Sequence, residues 1–500
     1  LQKGGLEFTD PDTGCRYWLD PDDSGARAEN RKVQLDEDRL CYFDENGCMA
    51  FGECLEHGGW YYYDEKTGAQ CRGPVVLPDG RQVFYSLTNG KMLYGKQTIC
   101  GTSFTFNTVN GSRSSGPDGL FWLEWGGKRY WFESWKRQGY NPYDSSYRGK
   151  EIYDPASDAW YWLDNIQNGA MAASKDVYQE SNGGKWVRYD ENGHMVKGWD
   201  VNENGTYYFD QITGAMAKGA LLLDDVQYGF DPIMGTMLDC QWLHTEVGDY
   251  WYEGGIRQGT EGRGKEIYDL ASDAWYWLDA VDNGKKAVSK DVYQESDGGK
   301  WVRYDENGHM IKGENCQNGN WYYFEPVTGA MIHGPWTLPD GRKVYYDPKT
   351  GVMQYGSVAV NNQLYYFDPV YGKMTSGTPG NFWYTIDGKS YWYENWVRQG
   401  WQPSNANYRG KEIYDPASGA WYWLDNVQQG AKAVSKEVYQ DSNGGKWVRY
   451  DANGAMIKGW YAQDGKRWYY DLNTGAMYKG WSTIDGQTYH FDETTGVLIQ

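Results

Sequence analysis

The sequence contains no long hydrophobic run and few aliphatic residues. Its longest uninterrupted aliphatic string is the ALLL at residues 220–223, far short of the ~20 apolar residues that cross a bilayer. Alanine, valine, isoleucine and leucine together number about 90 of the 500 residues, and they are almost matched by 27 Trp, 45 Tyr and 14 Phe. This composition disfavours a doubly wound α/β enzyme, a helical bundle and an ordinary barrel.

Positive charge is also scarce. The 48 Lys and Arg residues are outnumbered by 68 Asp and Glu residues, so the formal net charge at pH 7 is −20 and the isoelectric point is near 4.8. Such a surface repels phosphate backbones and anionic lipid, which argues against nucleic acid as a partner and against membrane insertion. The N-terminus shows no signal-peptide pattern, and we expect a soluble chain that is mature or excised from a longer one.

The cysteines and histidines lack the spacing of a metal site. None of the eight Cys forms a CxxC pair, which disfavours zinc, and no two of the six His lie at metal-binding spacing. The even number of Cys fits disulfides of a secreted protein, and free thiols fit equally well. We expect no cofactor. Calcium is the one metal for which the sequence offers ligands, in DPDTG at 10–14 and in the DENG turns, although ordinary turn chemistry explains these residues better.

What the sequence has in abundance is repetition. A string that begins RGKEIYD occupies residues 148–199 and returns at 263–314 and 409–460, and upstream likeness extends each copy into a long unit. A degenerate fourth copy opens the chain. The predicted organisation is a degenerate long-type repeat at 1–50, long units at 121–199, 241–314 and 382–460, and short hairpin repeats at 51–120, 200–240, 315–381 and 461–500.

The short repeats follow a cadence of about twenty residues, as in NGTYYFDQITGAMAKG at 204–219. Each has an aromatic strand, a turn rich in Asp, Thr and Gly, a Met, and a Gly before the next strand, which is typical of a β-hairpin. A lone hairpin is marginal in water, whereas stacked hairpins bury their aromatic faces against one another. We therefore predict an all-β fold, an elongated β-solenoid of stacked aromatic β-hairpins with three longer repeat units.

The strand at 185–189 (KWVRY) illustrates how such a hairpin divides its side chains. Because successive residues of a strand point to opposite faces, Trp186 and Arg188 share one face, and Val187 and Tyr189 share the other. We expect one face to pack and the other to be free for binding.

The short units resemble the choline-binding and glucan-binding repeats of cell-wall and secreted proteins of Gram-positive bacteria. They also resemble the repetitive receptor-binding regions of clostridial toxins. The resemblance rests on the aromatic strand, the turn, the Met and the closing Gly, and it covers the short units and the second half of each long unit. It implies a hairpin solenoid whose ligands sit between successive hairpins, in boxes of Trp, Tyr and Met.

Carried over to this sequence, the resemblance implies one box in each long unit. The boxes consist of a strand Trp, the Met and, in two copies, the Trp after the closing Gly: Trp186, Met195, Trp199, Trp301, Met310, Trp447, Met456 and Trp460. The W-Y-W triplets supply a second candidate surface, because large rings offer apolar faces to sugars; their Trp residues are Trp160, Trp162, Trp275, Trp277, Trp421 and Trp423. The alternative for at least one Trp of each triplet, and for the Met residues, is packing in the core.

One departure from the family pattern bears on the ligand. The family's W-Y-Y becomes W-V-R here, which places Arg188, Arg303 and Arg449 beside the boxes. A cation such as choline would be repelled there, whereas a neutral or acidic sugar, or a carboxylate of a protein partner, suits an arginine beside aromatic rings. The alternative is a structural arginine that covers a ring or pairs with a neighbouring carboxylate.

Together these patterns predict a non-catalytic, multivalent binding protein that is secreted or attached to the bacterial cell wall. Its expected partner is carbohydrate: a cell-wall polymer, an α-glucan or a host glycan. Carboxylates such as Asp154 recur in every copy, as turn residues do, which disfavours a glycosidase acid–base pair. The alternatives are an adhesin or decoy that binds a host protein such as an immunoglobulin, and a structural spacer for a catalytic domain outside this chain.

Overall fold

The computed structural model describes residues 5–36, 39–180, 183–441 and 444–499. The chain forms two compact units, one of residues Leu1–Leu221 with Phe230–Met237 and one of Leu222–Gly229 with Leu238–Gln500. Strands dominate both units, which confirms the predicted all-β class. The helices of the described ranges are single 3-10 turns at Pro21–Asp23, Asn165–Gln167, Ala280–Asp282, Ser296–Gly298 and Asn426–Gln428. None of these helices has the length and apolarity needed to cross a membrane.

The first unit begins with a three-stranded sheet and continues mainly as antiparallel hairpins. The sheet strands are Leu6–Thr9, Arg16–Asp20 and Ala26–Arg27. The hairpins are Arg31–Gln34 with Leu40–Phe43, Gly52–Glu56 with Gly59–Tyr63, Gly73–Val76 with Gln82–Tyr85, Gly95–Ile99 with Thr102–Phe106, Lys175–Gln179 with Lys185–Tyr189, and Gly198–Asn202 with Gly205–Phe209. Arg113–Ser115 adds a third strand to the fourth of these hairpins. The last strands before the second long unit are Gly219–Leu223 and Val226–Phe230.

The second unit repeats the same hairpins. They are Lys290–Gln294 with Lys300–Tyr304, Gly313–Gln317 with Asn320–Phe324, Gly334–Thr337 with Lys343–Tyr346, Gly356–Val360 with Gln363–Phe367, Lys436–Gln440 with Lys446–Tyr450, Gly459–Gln463 with Lys466–Tyr470, and Gly480–Ile484 with Gln487–Phe491. Met374–Ser376 joins the fourth as a third strand. The predicted hairpin repeats are therefore confirmed, and their arrangement into an elongated solenoid stays a prediction.

Each predicted long unit starts with a larger antiparallel sheet and ends with one of these hairpins. In the first copy the sheet strands are Leu120–Trp125, Lys128–Glu133, Lys136–Arg137, Gly149–Asp154, Ala159–Asp164 and Ala170–Met171. In the second copy they are Gln241–Thr245, Gly248–Glu253, Ile256–Arg257, Gly264–Asp269, Ala274–Asp279 and Lys285–Lys286. In the third copy they are Asn381–Ile386, Lys389–Glu394, Val397–Arg398, Gly410–Asp415, Ala420–Asp425 and Ala431–Lys432. In every copy the last, two-residue strand lies between the second and the fifth strands, so it joins the two halves of the sheet.

An aspartate ends the fifth strand of each larger sheet and starts the 3-10 turn. The Asp164 carboxylate accepts a hydrogen bond from the Ile166 N–H at 3.0 Å, which satisfies a donor that the short helix leaves free. Asp20 caps the Pro21–Asp23 turn in the same way. The opening sheet of the chain thus shares this capped turn with the long-unit sheets, and the degenerate copy at 1–50 stays a prediction.

The hairpin at 175–189 has the two faces that its alternation predicts. Val187 and Tyr189 are completely buried, whereas Trp186 is 41% exposed. The buried residues pack with Val177 and with Trp162 of the preceding sheet. Each hairpin is therefore covered on one face, and aromatic rings remain at the surface of the other.

A methionine in most repeats connects consecutive hairpins through the backbone, and Gln70 and Leu498 take its place in two of them. Met195 bridges to Tyr189 of its own hairpin, and its N–H donates to the carbonyl of Trp160 in the preceding sheet at 2.9 Å. Its sulfur lies against Gly214 of the following turn, where a Cβ would be 2.4 Å from the sulfur. Because Gly214 also has a φ of 67°, the glycine is needed both for the turn and for the methionine.

The cysteines and acidic turns have structural roles. Cys15 forms a disulfide with Cys48, and the other six cysteines are free thiols, so the chain combines both of the alternatives left open by its sequence. In DPDTG, the Asp10 carboxylate accepts hydrogen bonds from the Asp12 N–H and the Thr13 hydroxyl. These are the bonds of an Asx turn, as the turn interpretation of this motif predicts.

Candidate functional site

Each long unit presents two pairs of aromatic rings on neighbouring strands, which we call the aromatic pairs. In the first copy, Tyr153 lies opposite Trp160 with ring centroids 5.3 Å apart, and Tyr178 lies opposite Trp186 at 5.5 Å. All four rings are more than one-third exposed. The other copies repeat the arrangement at 5.2 to 5.4 Å, in the pairs Tyr268–Trp275, Tyr293–Trp301, Tyr414–Trp421 and Tyr439–Trp447.

The strand period explains why these rings reach solvent. The neighbours of the exposed Tyr153 and Trp160, at Ile152 and Tyr161, point inwards and are buried. The Tyr153 hydroxyl donates a hydrogen bond to Asp158, which raises the pKa of Tyr153. The phenol therefore stays protonated, and the hydrogen bond fixes the edge of its ring.

The two aromatic pairs of one unit are tied together by the methionine segments. The Met195 N–H donates to the Trp160 carbonyl, and the Met216 N–H donates to the Trp186 carbonyl at 2.8 Å. Both bonds are repeated in the second and third copies, at Met310, Met331, Met456 and Met477. The Met195 segment thus links the strand of Trp160 to the following hairpin, and the Met216 segment links that hairpin to the next one.

A cavity opens beside the last aromatic pair. It has a volume of about 500 Å³ and is lined by Tyr439, Trp447, Tyr478, Lys479 and Ser482, among others. Aromatic faces next to hydroxyl and ammonium groups can contact both the apolar and the polar sides of a sugar ring.

The structure corrects the sequence prediction for the second Trp of each W-Y-W triplet. Trp162 is 7% exposed and packs with Ala172 and Val187. Trp277 and Trp423 are buried in the same way. These three residues belong to the core, because the following hairpin covers this end of the strand, and they offer no face to a ligand.

The box methionines pack in the interior as well. The side chains of Met195, Met310 and Met456 lie against the buried clusters of their units, and each sulfur fills the space above a glycine of the next turn. This favours the packing alternative for all three, and the candidate site does not include them.

The box arginines are engaged with the chain itself. Arg188 makes two hydrogen bonds with Asp176 across its hairpin, at 2.7 and 2.9 Å, and a third with Asp200 of the next hairpin at 2.8 Å. The hydrogen bonds to Asp176 raise the pKa of Arg188. Arg303 binds Asp291, and Arg449 binds Glu437, in the same cross-strand positions. The geometry favours the structural alternative for these three arginines.

The two box tryptophans that follow a closing glycine, Trp199 and Trp460, keep exposed rings. Trp199 lies edge-on against Tyr208 at 5.1 Å, and Trp460 lies edge-on between Tyr469 and Tyr489 at 5.1 and 5.0 Å. They belong to the short hairpins and not to an aromatic pair.

The tyrosines of the aromatic pairs were not among the residues that the sequence singled out. They are Tyr153, Tyr178, Tyr268, Tyr293, Tyr414 and Tyr439. The register of the hairpin identifies them. Asp154 pairs with Ala159 next to the turn, so the preceding residue of the first strand, Tyr153, lies opposite the following residue of the second strand, Trp160.

Four segments of the chain match the model of a known family. The family model for the choline-binding repeat matches residues 34–73, 180–221, 295–336 and 441–479. The chain carries choline-binding repeats. Each of the last three matches includes the strand that carries the Trp of the second aromatic pair, which is Trp186, Trp301 or Trp447. Each also includes the short hairpin that follows this strand.

Two curated relatives are glucosyltransferases. Glucosyltransferase-I of Streptococcus downei is 23% identical over 378 residues, which are 69% of this chain and 22% of that protein. Glucosyltransferase-S of Streptococcus mutans serotype c is 24% identical over 188 residues, which are 35% of this chain and 13% of that protein. The chain therefore spans less than a quarter of the length of these curated relatives.

Solved structures with choline-binding repeats are also similar. The modular autolysin LytC from Streptococcus pneumoniae is 21% identical, with a TM-score of 0.31 over 52% of this chain and 53% of that chain. Choline binding protein F from the same organism is 19% identical, with a TM-score of 0.23 over 77% of this chain and 100% of that chain.

Proposed function

We propose that this chain is a non-catalytic binding protein that recognises an α-glucan or a related cell-wall carbohydrate through its six aromatic pairs. The observation that carries the proposal is the recurrence of Tyr–Trp pairs, each with an exposed Trp, at equivalent positions of all three long units. Exposed rings of this kind stack on the apolar face of a sugar, while the phenol supplies a polar handle. The choline-binding repeats and the glucosyltransferase relatives support a carbohydrate or cell-wall partner.

The repetition favours a polymer over a single small ligand. A stacking contact on one exposed pair is weak, but Met195 joins the strands that carry the two pairs of the first unit, through its bond to Trp160 and its bridge to Tyr189. A polymer that has reached one pair therefore meets the next at high effective concentration. Affinity would rise steeply with the length of the oligosaccharide.

Among the ligands of this family, a glucan fits better than choline. The guanidinium carbon of Arg188 lies 4.1 Å from the centre of the Tyr207 ring, and that of Arg303 lies 4.1 Å from Tyr322. A cation of the chain thus already covers the rings that a choline headgroup would need. Cations also lie near two rings of the aromatic pairs, Lys218 at 5.5 Å from Trp186 and Arg263 at 5.6 Å from Tyr293, where they would repel choline but not a neutral sugar.

The same repeats bear on the cellular location of the protein and on the alternative functions. We infer a secreted or wall-attached protein, since carbohydrate polymers of this kind lie outside the cell. The glucosyltransferase activity of the relatives is not transferred to this chain, which matches only a minor part of their length. The immunoglobulin alternative has no observation in its favour, and the spacer alternative predicts no binding at all.

Affinity electrophoresis in gels that contain dextran tests the proposal. We expect dextran to retard the wild-type chain, and the Ala replacement of the six paired tryptophans, Trp160, Trp186, Trp275, Trp301, Trp421 and Trp447, to abolish the retardation. The matched control is Trp321→Ala, because Trp321 is equally exposed but faces Cys316 instead of a tyrosine.

Choline chloride in the gel separates the two ligand classes. We expect it to leave the retardation unchanged. A folded six-fold variant that is still retarded like wild type, or release of the chain by choline, would contradict the proposal.

A further inference from the structure

The first long unit differs from the other two at one arginine of the larger sheet. In the second copy, Arg257 donates to the Tyr252 hydroxyl through Nε at 3.2 Å and through Nη2 at 3.1 Å. In the third copy, Arg398 donates to the equivalent Tyr393 hydroxyl at 3.0 Å. In the first copy the arginine is Arg137, but its cross-strand neighbour is a phenylalanine, so the phenol oxygen is missing.

Among the described residues, none forms an ion pair or a side-chain hydrogen bond with the Arg137 guanidinium. Its contacts are with aromatic faces: its central carbon lies 4.4 Å from the centre of the Tyr140 ring and 5.9 Å from that of Tyr130. Burial lowers the pKa of Arg137, in contrast to that of Arg188, whose carboxylate partners raise it. A desolvated cation without an anion is costly, and a bound anion would remove that cost.

The guanidinium lines a cavity of about 660 Å³, large enough for a sugar ring with its substituents. Its walls are aromatic: Trp125 lies flat on Tyr130, with ring centroids 3.7 Å apart and planes 16° apart, and Tyr140 also lines it. The cavity thus presents aromatic faces beside the Arg137 guanidinium.

The charges around the cavity favour an anion although the whole chain is acidic. Among the residues that the structure describes, Arg72, Lys136 and Arg137 line it together with one carboxylate, that of Asp64. Asp64 accepts hydrogen bonds from the hydroxyls of Tyr143 and Thr67 and from the Thr67 N–H, so its charge is already bound by the chain.

We propose that this cavity binds a carboxylated sugar, with the carboxylate paired to Arg137 and the sugar ring against Trp125 and the neighbouring tyrosines. A guanidinium presents parallel N–H groups that match the two oxygens of a carboxylate, and aromatic faces accept the apolar side of a pyranose ring. The site exists in the first copy because Phe132 stands where the other copies have a tyrosine. It does not depend on the aromatic pairs and goes beyond the proposed glucan binding.

Titration of the full chain with D-glucuronate, D-glucose, acetate and inorganic phosphate tests the site, with binding followed by isothermal calorimetry. We expect saturable binding of glucuronate that is at least about tenfold tighter than binding of the other three probes, because neither the charge nor the ring alone satisfies the cavity. Arg137→Gln should weaken glucuronate binding by at least about tenfold, as expected for the loss of a charged hydrogen-bonding partner.

Two further variants sharpen the test. Phe132→Tyr restores the phenol of the other copies, and its oxygen should accept a hydrogen bond from Arg137. Glucuronate binding should then weaken several-fold although the charge of Arg137 is kept. Arg257→Gln changes the equivalent arginine of the second copy and should leave glucuronate binding unchanged. If Arg137→Gln does not fold, Phe132→Tyr decides the question.

The proposal is overturned if the wild-type chain shows no saturable glucuronate binding, or if a folded Arg137→Gln variant binds it like wild type. Equal affinity for acetate or phosphate would show a site for small anions and would also overturn it. Retardation by dextran should be unaffected by Arg137→Gln, so failure of this site is distinguishable from failure of the proposed glucan binding.

Discussion

Arg188 lies across its hairpin from Asp176 and holds both oxygens of that carboxylate, at 2.7 and 2.9 Å. The same guanidinium binds Asp200 at 2.8 Å and covers the ring of Tyr207, both in the following hairpin. One side chain thus links two consecutive repeats through charge and through an aromatic contact.

We expect Arg188→Lys to lower stability and to leave glucan affinity unchanged. A lysine keeps the charge but cannot make the forked contact, so the free energy of unfolding should fall by about 1 to 2 kcal/mol. Arg263→Lys is the control for stability alone, because the ion pair of Arg263 with Glu295 is largely exposed. Thermal melts and dextran titrations measure the two quantities. If Arg188→Lys lowered the affinity for dextran and left the melting temperature unchanged, Arg188 would be a ligand-binding residue.

The contact of Met195 with Gly214 predicts a second effect. Gly214→Ala would place a Cβ 2.4 Å from the Met195 sulfur at a φ of 67°. Gly219→Ala is the matched control, since Gly219 has a φ of 72° and no atom within 4 Å of such a Cβ. We expect about 1 kcal/mol of destabilisation from the backbone in both variants, and about 1 to 3 kcal/mol more at Gly214 from the steric conflict.

Denaturant unfolding of the two variants checks this prediction. Adding Met195→Ala to Gly214→Ala should remove the steric part of the loss, after allowance for the Met195→Ala change itself. Equal losses in Gly214→Ala and Gly219→Ala would show that the methionine contact is unimportant.

The two tryptophans of one W-Y-W triplet should respond oppositely to replacement. Trp162→Ala removes a buried ring from the cluster with Val187, and we expect a loss of about 3 to 5 kcal/mol. Trp160→Ala removes a ring that is 38% exposed, and we expect less than about 1 kcal/mol together with weaker dextran binding. Unfolding free energies that are equal for the two variants would contradict this division into core and surface.

The acidic turns predict a loss of stability at low pH. The Thr N–H at the third position after each aspartate lowers the pKa of Asp210, Asp471 and Asp492 from the usual value near 3.8. Each lowered pKa means that the unfolded chain binds more protons in acid. The stabilisation that these ionised aspartates give the folded chain is complete above about pH 4. It is lost as the pH falls through the pKa values that the aspartates have in the folded chain.

Melting temperatures between about pH 2 and pH 7 measure this dependence. Replacing the three aspartates together by asparagine should flatten the decline below about pH 4, since asparagine keeps a hydrogen-bond acceptor but does not titrate. A decline that is equally steep in the triple variant would assign the acid sensitivity to other carboxylates.

Local periodicity in the sequence determined the hairpins, their turns and the two faces of each strand. Val187 and Tyr189 are buried, and Trp186 is exposed, as alternation requires. The turn, the methionine and the glycine of each repeat are likewise short-range features, because their φ values and Asx hydrogen bonds involve residues a few positions apart. Such features are readable without any knowledge of neighbouring repeats.

The tertiary structure decided which side chains on the outer face of a strand stay exposed to solvent and which are covered by another hairpin. Trp160 and Trp162 lie on the same side of one strand, yet only Trp162 is covered, since the following hairpin packs on that end. The partners of Arg188 and the missing partner of Arg137 are decided in the same way, by residues of another strand or another repeat. These contacts depend on how hairpins stack and on cross-strand register, and a period of two specifies neither.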